Sequence, residues 1–168
     1  MKVILYMAVS ANGIIAKSDD DTSWISKEEW DSYSLVVRTA GCLIVGCRTY
    51  HILTKQPEFA EFKDIKLVAV SQEDFITLTP NHLIAHSPKE ALDFLKDYKE
   101  IVVAGGGILN ASFLAEKLVD EIYLDIEPII FGKGIPLFKD KEFEQKLKFI
   151  GQKKITDNEI QLHYQVLK

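Results

Sequence analysis

Three consecutive glycines, Gly105, Gly106 and Gly107, separate the apolar run EIVVA from the helix-patterned segment ILNASFLAEKL. A chain crosses such a junction as strand, tight turn and helix, because glycine alone tolerates the positive φ and close backbone approach that the turn demands. The free N–H groups of the helix start and its positive end then converge on one point, which makes an anion site, most often for phosphate. A turn needs one such glycine; three in a row favour a ligand approaching the backbone. The match to a Rossmann fingerprint is imperfect, since Asn110 stands where the third glycine would fall, and the lysine of a P-loop is missing.

The rest of the chain supplies the setting. KVILYMAV, CLIVG, KLVAVS, HLIAHS and EIVVA are short apolar runs of strand length, as expected for strands covered on both faces. Helical patterns fall between them. One begins at a capping box, Ser26 with Glu29, and puts Trp30, Tyr33, Val37 and Ala40 on one face; RTYHIL starts a second; SPKEALDFLKDY carries another capping box, Ser87 with Glu90, and turns Ala91, Leu92, Leu95 and Tyr98 inward. After Asp120 the grammar changes to alternation in EIYLDIEP, KLKFIGQKKIT and EIQLHYQVL, the last two joined by DN as an antiparallel hairpin. Parallel βα units followed by antiparallel strands predict an α/β fold with a mixed, mostly parallel sheet flanked by helices. No linker, repeat or low-complexity segment divides residues 1–168, which read as one domain.

Composition narrows the partners. A formal net charge of −5 argues against a general nucleic-acid or anionic-membrane surface, and no apolar run approaches membrane-spanning length. Cys42 and Cys47 have neither a disulfide framework nor a CxxC spacing, and a cytoplasmic location is expected. His51, His82, His86 and His163 form no metal constellation and read as surface or strand-edge residues. A second strand end, LIVGCRTYHIL, places Gly46 before Arg48 and Thr49 at a helix start, a further place for phosphate. Two such ends in one small domain fit a dinucleotide.

MAVSANGIIA, LIVGCRTY, VVAGGGILNASFLAEKLVDEIYL and EPIIFGKGIPLF occur in the order seen in the dihydrofolate-reductase-like superfamily. The chain most resembles the branch containing the reductase domain of riboflavin biosynthesis. That resemblance implies an eight-stranded sheet, NADPH across the strand ends, a homodimer, and a cis peptide between Gly105 and Gly106. It also implies cofactor contacts from Ala8, Gly46, Arg48, Thr49, Ser71 and the run Gly105, Gly106, Gly107, Ile108 and Leu109. The chain departs from the branch at Asn12, Ala104 and TKQPEF, where acids are usual in the first two places and an Asp-Asp-Pro in the third.

The expected activity is hydride transfer from NADPH to a C=N or C=O bond of a small heterocycle, of pterin or ribosylamino-pyrimidinone type. Glu28, Glu29 and Asp31 on the first helix are candidate acids, with Asp31 expected to protonate the acceptor and Trp24 to stack on it. Three alternatives stay open: a dihydrofolate reductase proper, a non-catalytic dinucleotide-binding module, and a Rossmann dehydrogenase whose ribose acid is Asp125. In an alternating strand, Asp125 is expected to face solvent.

Overall fold

The computed structural model describes residues 1–62 and 64–168. Strands β1 (Lys2–Ser10) and β2 (Ile14–Ala16) lead into α1 (Lys27–Ala40), β3 (Cys42–Gly46) and α2 (Cys47–Leu53). A 3₁₀ turn (Pro57–Phe62), β4 (Lys66–Val70), β5 (His82–Ala85), α3 (Pro88–Phe94), β6 (Glu100–Val103) and α4 (Gly107–Ala115) follow. The chain closes with β7 (Glu121–Glu127), β8 (Ile135–Pro136), β9 (Leu147–Lys154) and β10 (Ile160–Val166). Eight strands make one sheet in the order β5-β4-β3-β6-β1-β7-β10-β9, while β2 pairs with β8. β1 and β3 to β7 run parallel, and β10 is antiparallel to both its neighbours. This is the α/β, dihydrofolate-reductase-like sheet that the sequence predicts, with its carboxy-terminal hairpin.

The period of two along each central strand divides the core into two layers. In β3, Cys42 and Ile44 pack with Leu95, Phe113 and Leu114 beside α3 and α4, whereas Leu43 and Val45 pack with Tyr33, Val37 and Phe62 beside α1 and the 3₁₀ turn. Both predicted caps form: Ser26 Oγ accepts from Glu29 N–H and Ser87 Oγ from Glu90 N–H. α3 is one turn shorter than its apolar pattern suggests, ending at Phe94.

The chain travels outward from β3 to β4 and β5, then returns to insert β6 between β3 and β1. That reversal leaves a crevice at the carboxyl ends of the central strands, where open α/β sheets bind ligands. Among the described residues, no helix is long and apolar enough to cross a membrane.

His82 corrects one expectation. It lies on the edge strand, as predicted, but is 3% exposed, walled by Tyr50 and Phe59, with Nδ1 at 2.9 Å from the Tyr50 hydroxyl. Its Nε2 is buried with no partner among the described residues. Burial lowers its pKa from the ordinary 6.5. The folded state thus takes up this proton less readily than the unfolded chain. The stability that neutral His82 contributes is present above about pH 6.5 and is lost as the pH falls from there through the lower folded pKa. Thermal melts from about pH 8 to about pH 5 should lose more stability per unit in the native protein than in His82→Phe; parallel slopes would refute the assignment.

Candidate functional site

The carboxyl ends of β1, β3, β4 and β6 open onto a cleft of about 1430 Å³. Pockets for single small molecules run to roughly 300–1,000 Å³, so the cleft has room for more than one ligand. Its two ends differ in chemistry.

At one end the glycine turn is fixed from three sides. Gly105 has φ +82° and its peptide bond to Gly106 is cis. The Gly46 N–H donates to the Gly105 carbonyl at 2.7 Å, tying the end of β3 to the turn. Asn110, fully buried, accepts from the Gly105 N–H at 3.1 Å and donates to the Leu137 carbonyl at 3.0 Å. A Cβ at Gly107 would strike the Pro136 carbonyl, whereas one at Gly106 would meet only the Thr49 hydroxyl, at 3.3 Å. Two of the three glycines are therefore explained by the protein itself, Gly105 by its positive φ and Gly107 by the approach of β8. Only Gly106 retains the reading that a ligand needs the space.

The N–H groups of Gly106, Gly107, Ile108 and Leu109 make no hydrogen bond among the described residues, as befits the first turn of α4. Gly46, Thr49 and Ser71 line the same end. α2 is only seven residues long and offers little dipole, so this second strand end contributes side chains more than a helix terminus. Arg48 reaches across to Asp20, with Nη2 at 2.6 Å and Nε at 2.9 Å, and its side chain is 69% exposed. Pairing of β1 with β6 stops at Leu5, while pairing with β7 continues to Ser10. From Tyr6 onward one edge of β1 has no partner strand, and Ala8 lines the cleft there.

At the other end stands Glu29, 4% exposed and lining the cleft, with no hydrogen bond to its carboxyl among the described residues. A capping-box glutamate normally returns to the N-cap N–H. Here Glu127 takes that place, accepting from the Ser26 N–H at 2.7 Å, and the Glu29 carboxyl turns towards the cleft. Ser26 Oγ also donates to Glu159 at 3.0 Å. Desolvation, reinforced by the carboxylates of Asp125, Glu127 and Glu159, holds the Glu29 pKa well above the usual carboxylate range. Burial likewise pushes Asp125 up to about 6, although it accepts from the Tyr6 hydroxyl at 2.5 Å and from Gln161 Nε2 at 2.8 Å. Glu159 is raised by burial and by its hydrogen bond with Glu127.

Three expectations change here. Asp31 does not provide the buried acid: its side chain is 57% exposed and paired with Lys27 at 2.7 Å, while Glu29 lies inside. The helical spacing of Glu29, Tyr33 and Val37 carries that signal. Trp24 lies outside the cleft lining, edge-on to Phe131 and donating to the Asp21 carbonyl at 3.2 Å, and the tryptophan that lines the cleft is Trp30. Asp125 does not face solvent: it is 1% exposed, on the sheet face where Tyr6 bridges it to Ser32 of α1, with Gln161 of the neighbouring strand β10 directly beside it. Asn110, a fully buried polar residue in the mostly apolar α4, is the clamp that sequence reasoning passed over.

The model of the RibD C-terminal domain family matches residues 1–161, and the chain belongs to that family. It is 32% identical over 169 residues to the uncharacterized protein YwjB of Bacillus subtilis, covering 97% of each chain. It is 30% identical over 132 residues to dihydrofolate reductase type 1 of Escherichia coli, covering 76% of this chain and 78% of the relative. Among solved structures it superimposes, with a TM-score of 0.74 and 18% identity, on a Thermotoga maritima diaminohydroxyphosphoribosylaminopyrimidine deaminase/5-amino-6-(5-phosphoribosylamino)uracil reductase. That match covers 99% of this chain and 56% of the bifunctional one.

The raised Glu29 pKa has a testable consequence. A carboxyl whose folded pKa exceeds its unfolded value contributes stability below the unfolded pKa, and that contribution is lost as the pH rises through the folded pKa. Glu29→Gln removes the titration while keeping the shape. The variant should melt above the native protein at about pH 8, with the gap narrowing towards about pH 4. A gap that stays constant with pH would show that Glu29 does not titrate abnormally.

Proposed function

We propose that this chain is an NADPH-dependent reductase that delivers a hydride to a C=N or C=O bond of a small heterocycle. The observation that carries this is the pairing, in one cleft, of unbonded N–H donors at the glycine turn with an unpartnered buried carboxyl at the far end. The cradle fits the cofactor: Gly106 to Leu109 offer donors for a pyrophosphate, and the Gly106 Cβ direction points at nothing but Thr49. Arg48, Thr49 and Ser71 would hold the 2′-phosphate, and the open edge of β1 at Ala8 would hold the nicotinamide. When bound, NADPH supplies the hydride. Glu29 supplies the proton: as the hydride adds to carbon, the π pair moves to nitrogen or oxygen, which takes the proton from the carboxyl. Trp30 would wall the acceptor in place of Trp24. Asp31 is left at the rim.

Arg48 must exchange Asp20 for the phosphate. An exposed ion pair contributes about 0–1 kcal/mol, whereas a hydrogen bond to a charged group contributes about 1.5–3 kcal/mol, so the exchange favours the cofactor. Arg48→Ala should weaken NADPH binding about ten- to a hundredfold and leave NADH nearly unchanged. Gly106→Val should abolish binding of both in a folded protein. Equal losses for the two cofactors in Arg48→Ala would mean that Arg48 serves the pyrophosphate or the fold. Unaltered affinity in Gly106→Val would remove the cradle from the reading, and binding without turnover on any pterin, pyrimidinone or simple carbonyl would favour the non-catalytic module.

We also propose a homodimer through the carboxy-terminal hairpin. β9 is an edge strand whose Leu147, Phe149 and Ile150 are exposed by 40%, 55% and 47%, more apolar surface than an edge left in water ordinarily carries. Light scattering at micromolar concentration should give twice the 19.1 kDa chain mass, and Phe149→Glu should halve it. A native protein of single-chain mass would refute the assembly.

A further inference from the structure

Carboxylates border much of the cleft: Asp20, Asp21 and Glu73 line it too, Asp20 being paired with Arg48 and Asp21 with Lys17. Unbonded N–H donors gather at the glycine end, together with Lys139, while the Glu29 end is bordered by Asp31, Glu58 and Glu61. Among the described residues lining that second end, Lys27 is the one cation, and it already pairs with Asp31 at 2.7 Å. The other cations near it are matched as well, Arg38 to Glu61 at 2.9 Å and Lys17 to Asp21 at 2.5 Å. Behind Glu29, Asp125, Glu127 and Glu159 are each less than 10% exposed; Tyr6, Gln161 and Ser26 donate to them, and Glu127 and Glu159 share a further hydrogen bond. None of those donors carries a charge. The uncharged lining includes Thr22, Ser23, Ser26 and Gln56 besides Ile15, Ile52, Leu53 and the Trp30 ring, which is braced against Tyr33 and Phe62 at centroid distances of 5.6 and 5.5 Å.

A phosphate or carboxylate arm placed at this end would lose water, meet like charge, and find no unpaired cation to replace its hydration. A flat ring could lie against the Trp30 face and the aliphatic side chains while its N–H donors or basic nitrogen met the carboxylates of Glu29, Glu58 and Glu61. We propose that the substrate of this cleft is a neutral or basic planar heterocycle with no phosphate or carboxylate arm, selected by the acidic border of Glu29, Glu58 and Glu61. This rests on the reductase reading for its chemistry, and separates this chain from the phosphoribosyl substrate in the name of the Thermotoga maritima enzyme. Glu58 and Glu61 act here as specificity residues. Glu61 has a double part, since it accepts from the Trp30 Nε1 at 3.5 Å and occupies Arg38, keeping that guanidinium from serving as an anion site.

The test uses a matched set of 2-aminopyrimidines carrying an aminoethyl, a hydroxyethyl or a phosphoethyl arm. Each is titrated into the full-length protein with and without saturating NADPH, with the Trp30 indole N–H followed by NMR. The amino and hydroxy compounds should bind, and the phosphate compound at least about tenfold more weakly, because like-charge juxtaposition opposes it. That gap should shrink as salt is raised. In the double variant Glu58→Lys, Glu61→Gln, which adds one cation and releases Arg38, the order should reverse. Tightest binding by the phosphate compound in the native protein, failure of all three to bind, or an unchanged order in the folded double variant would each overturn the proposal. The reductase reading fails separately: absence of NADPH binding with the charge order intact sinks it alone, and a reversed order in a protein that binds NADPH sinks only the substrate class.

Discussion

The hydrogen bond from the Gly46 N–H to the Gly105 carbonyl, 2.7 Å long, is the constraint on which the cleft depends. β6 is short, pairing with β1 only to Leu5 and with β3 only to Ile44, and then the chain must leave the sheet without leaving its backbone groups bare. The glycine turn makes that exit possible. Its carbonyl satisfies the end of β3, its Gly105 N–H is satisfied by Asn110, and Asn110 in turn holds the Leu137 carbonyl beside β8. With β6 gone, the last half of β1 is open on one side and the first N–H groups of α4 face the gap. Binding surface arises where secondary structure is interrupted but its ends stay pinned.

The acid end follows a different economy. Four buried carboxyls in one neighbourhood oppose folding unless protons or dipoles offset them. Two are partly compensated by the amino end of α1: Glu127 accepts from the Ser26 N–H and Glu159 from the Ser26 hydroxyl, both beside the positive pole of a fourteen-residue helix. Asp125 has two neutral donors. Glu29 has none, and it alone of the four lines the cleft. A site built for function characteristically leaves such a group unsatisfied, because a neutral carboxyl aimed into a pocket is a proton held in readiness.

Much of this was legible in the sequence, for identifiable reasons. The strands, the helix caps and the hairpin depend on periodicity and on local side-chain chemistry, so KVILYMAV or SPKE could be read without knowing their neighbours. The geometry of the glycine turn was legible too, because glycines announce backbone conformation. The acid end was not. Choosing among Glu28, Glu29 and Asp31 required the helix phase, which Tyr33 and Val37 carried but which was outweighed by expectation. The burial of Asp125 and His82 is decided by groups far away in sequence: Tyr6, bonded to Ser32 of α1, and Gln161 close on Asp125, and Phe59 with Tyr50 encloses His82. Trp24 and Trp30 differ only in whether they sit in a loop or on the core face of α1.

The two ends of the cleft also differ in how tightly the fold constrains their residues. The glycine turn is locked by backbone contacts, so most substitutions there disturb the fold: a side chain at Gly107 collides with Pro136, and Gly105 needs its positive φ. Border residues such as Glu58 and Glu61 stand on a 3₁₀ turn whose stability comes from Phe59 and Phe62 beneath it, both buried. Their charges can change without touching that core. The backbone therefore enforces the geometry of the glycine end, whereas the charges bordering the Glu29 end are set by exposed side chains, and a shared sheet does not by itself imply a shared chemistry there.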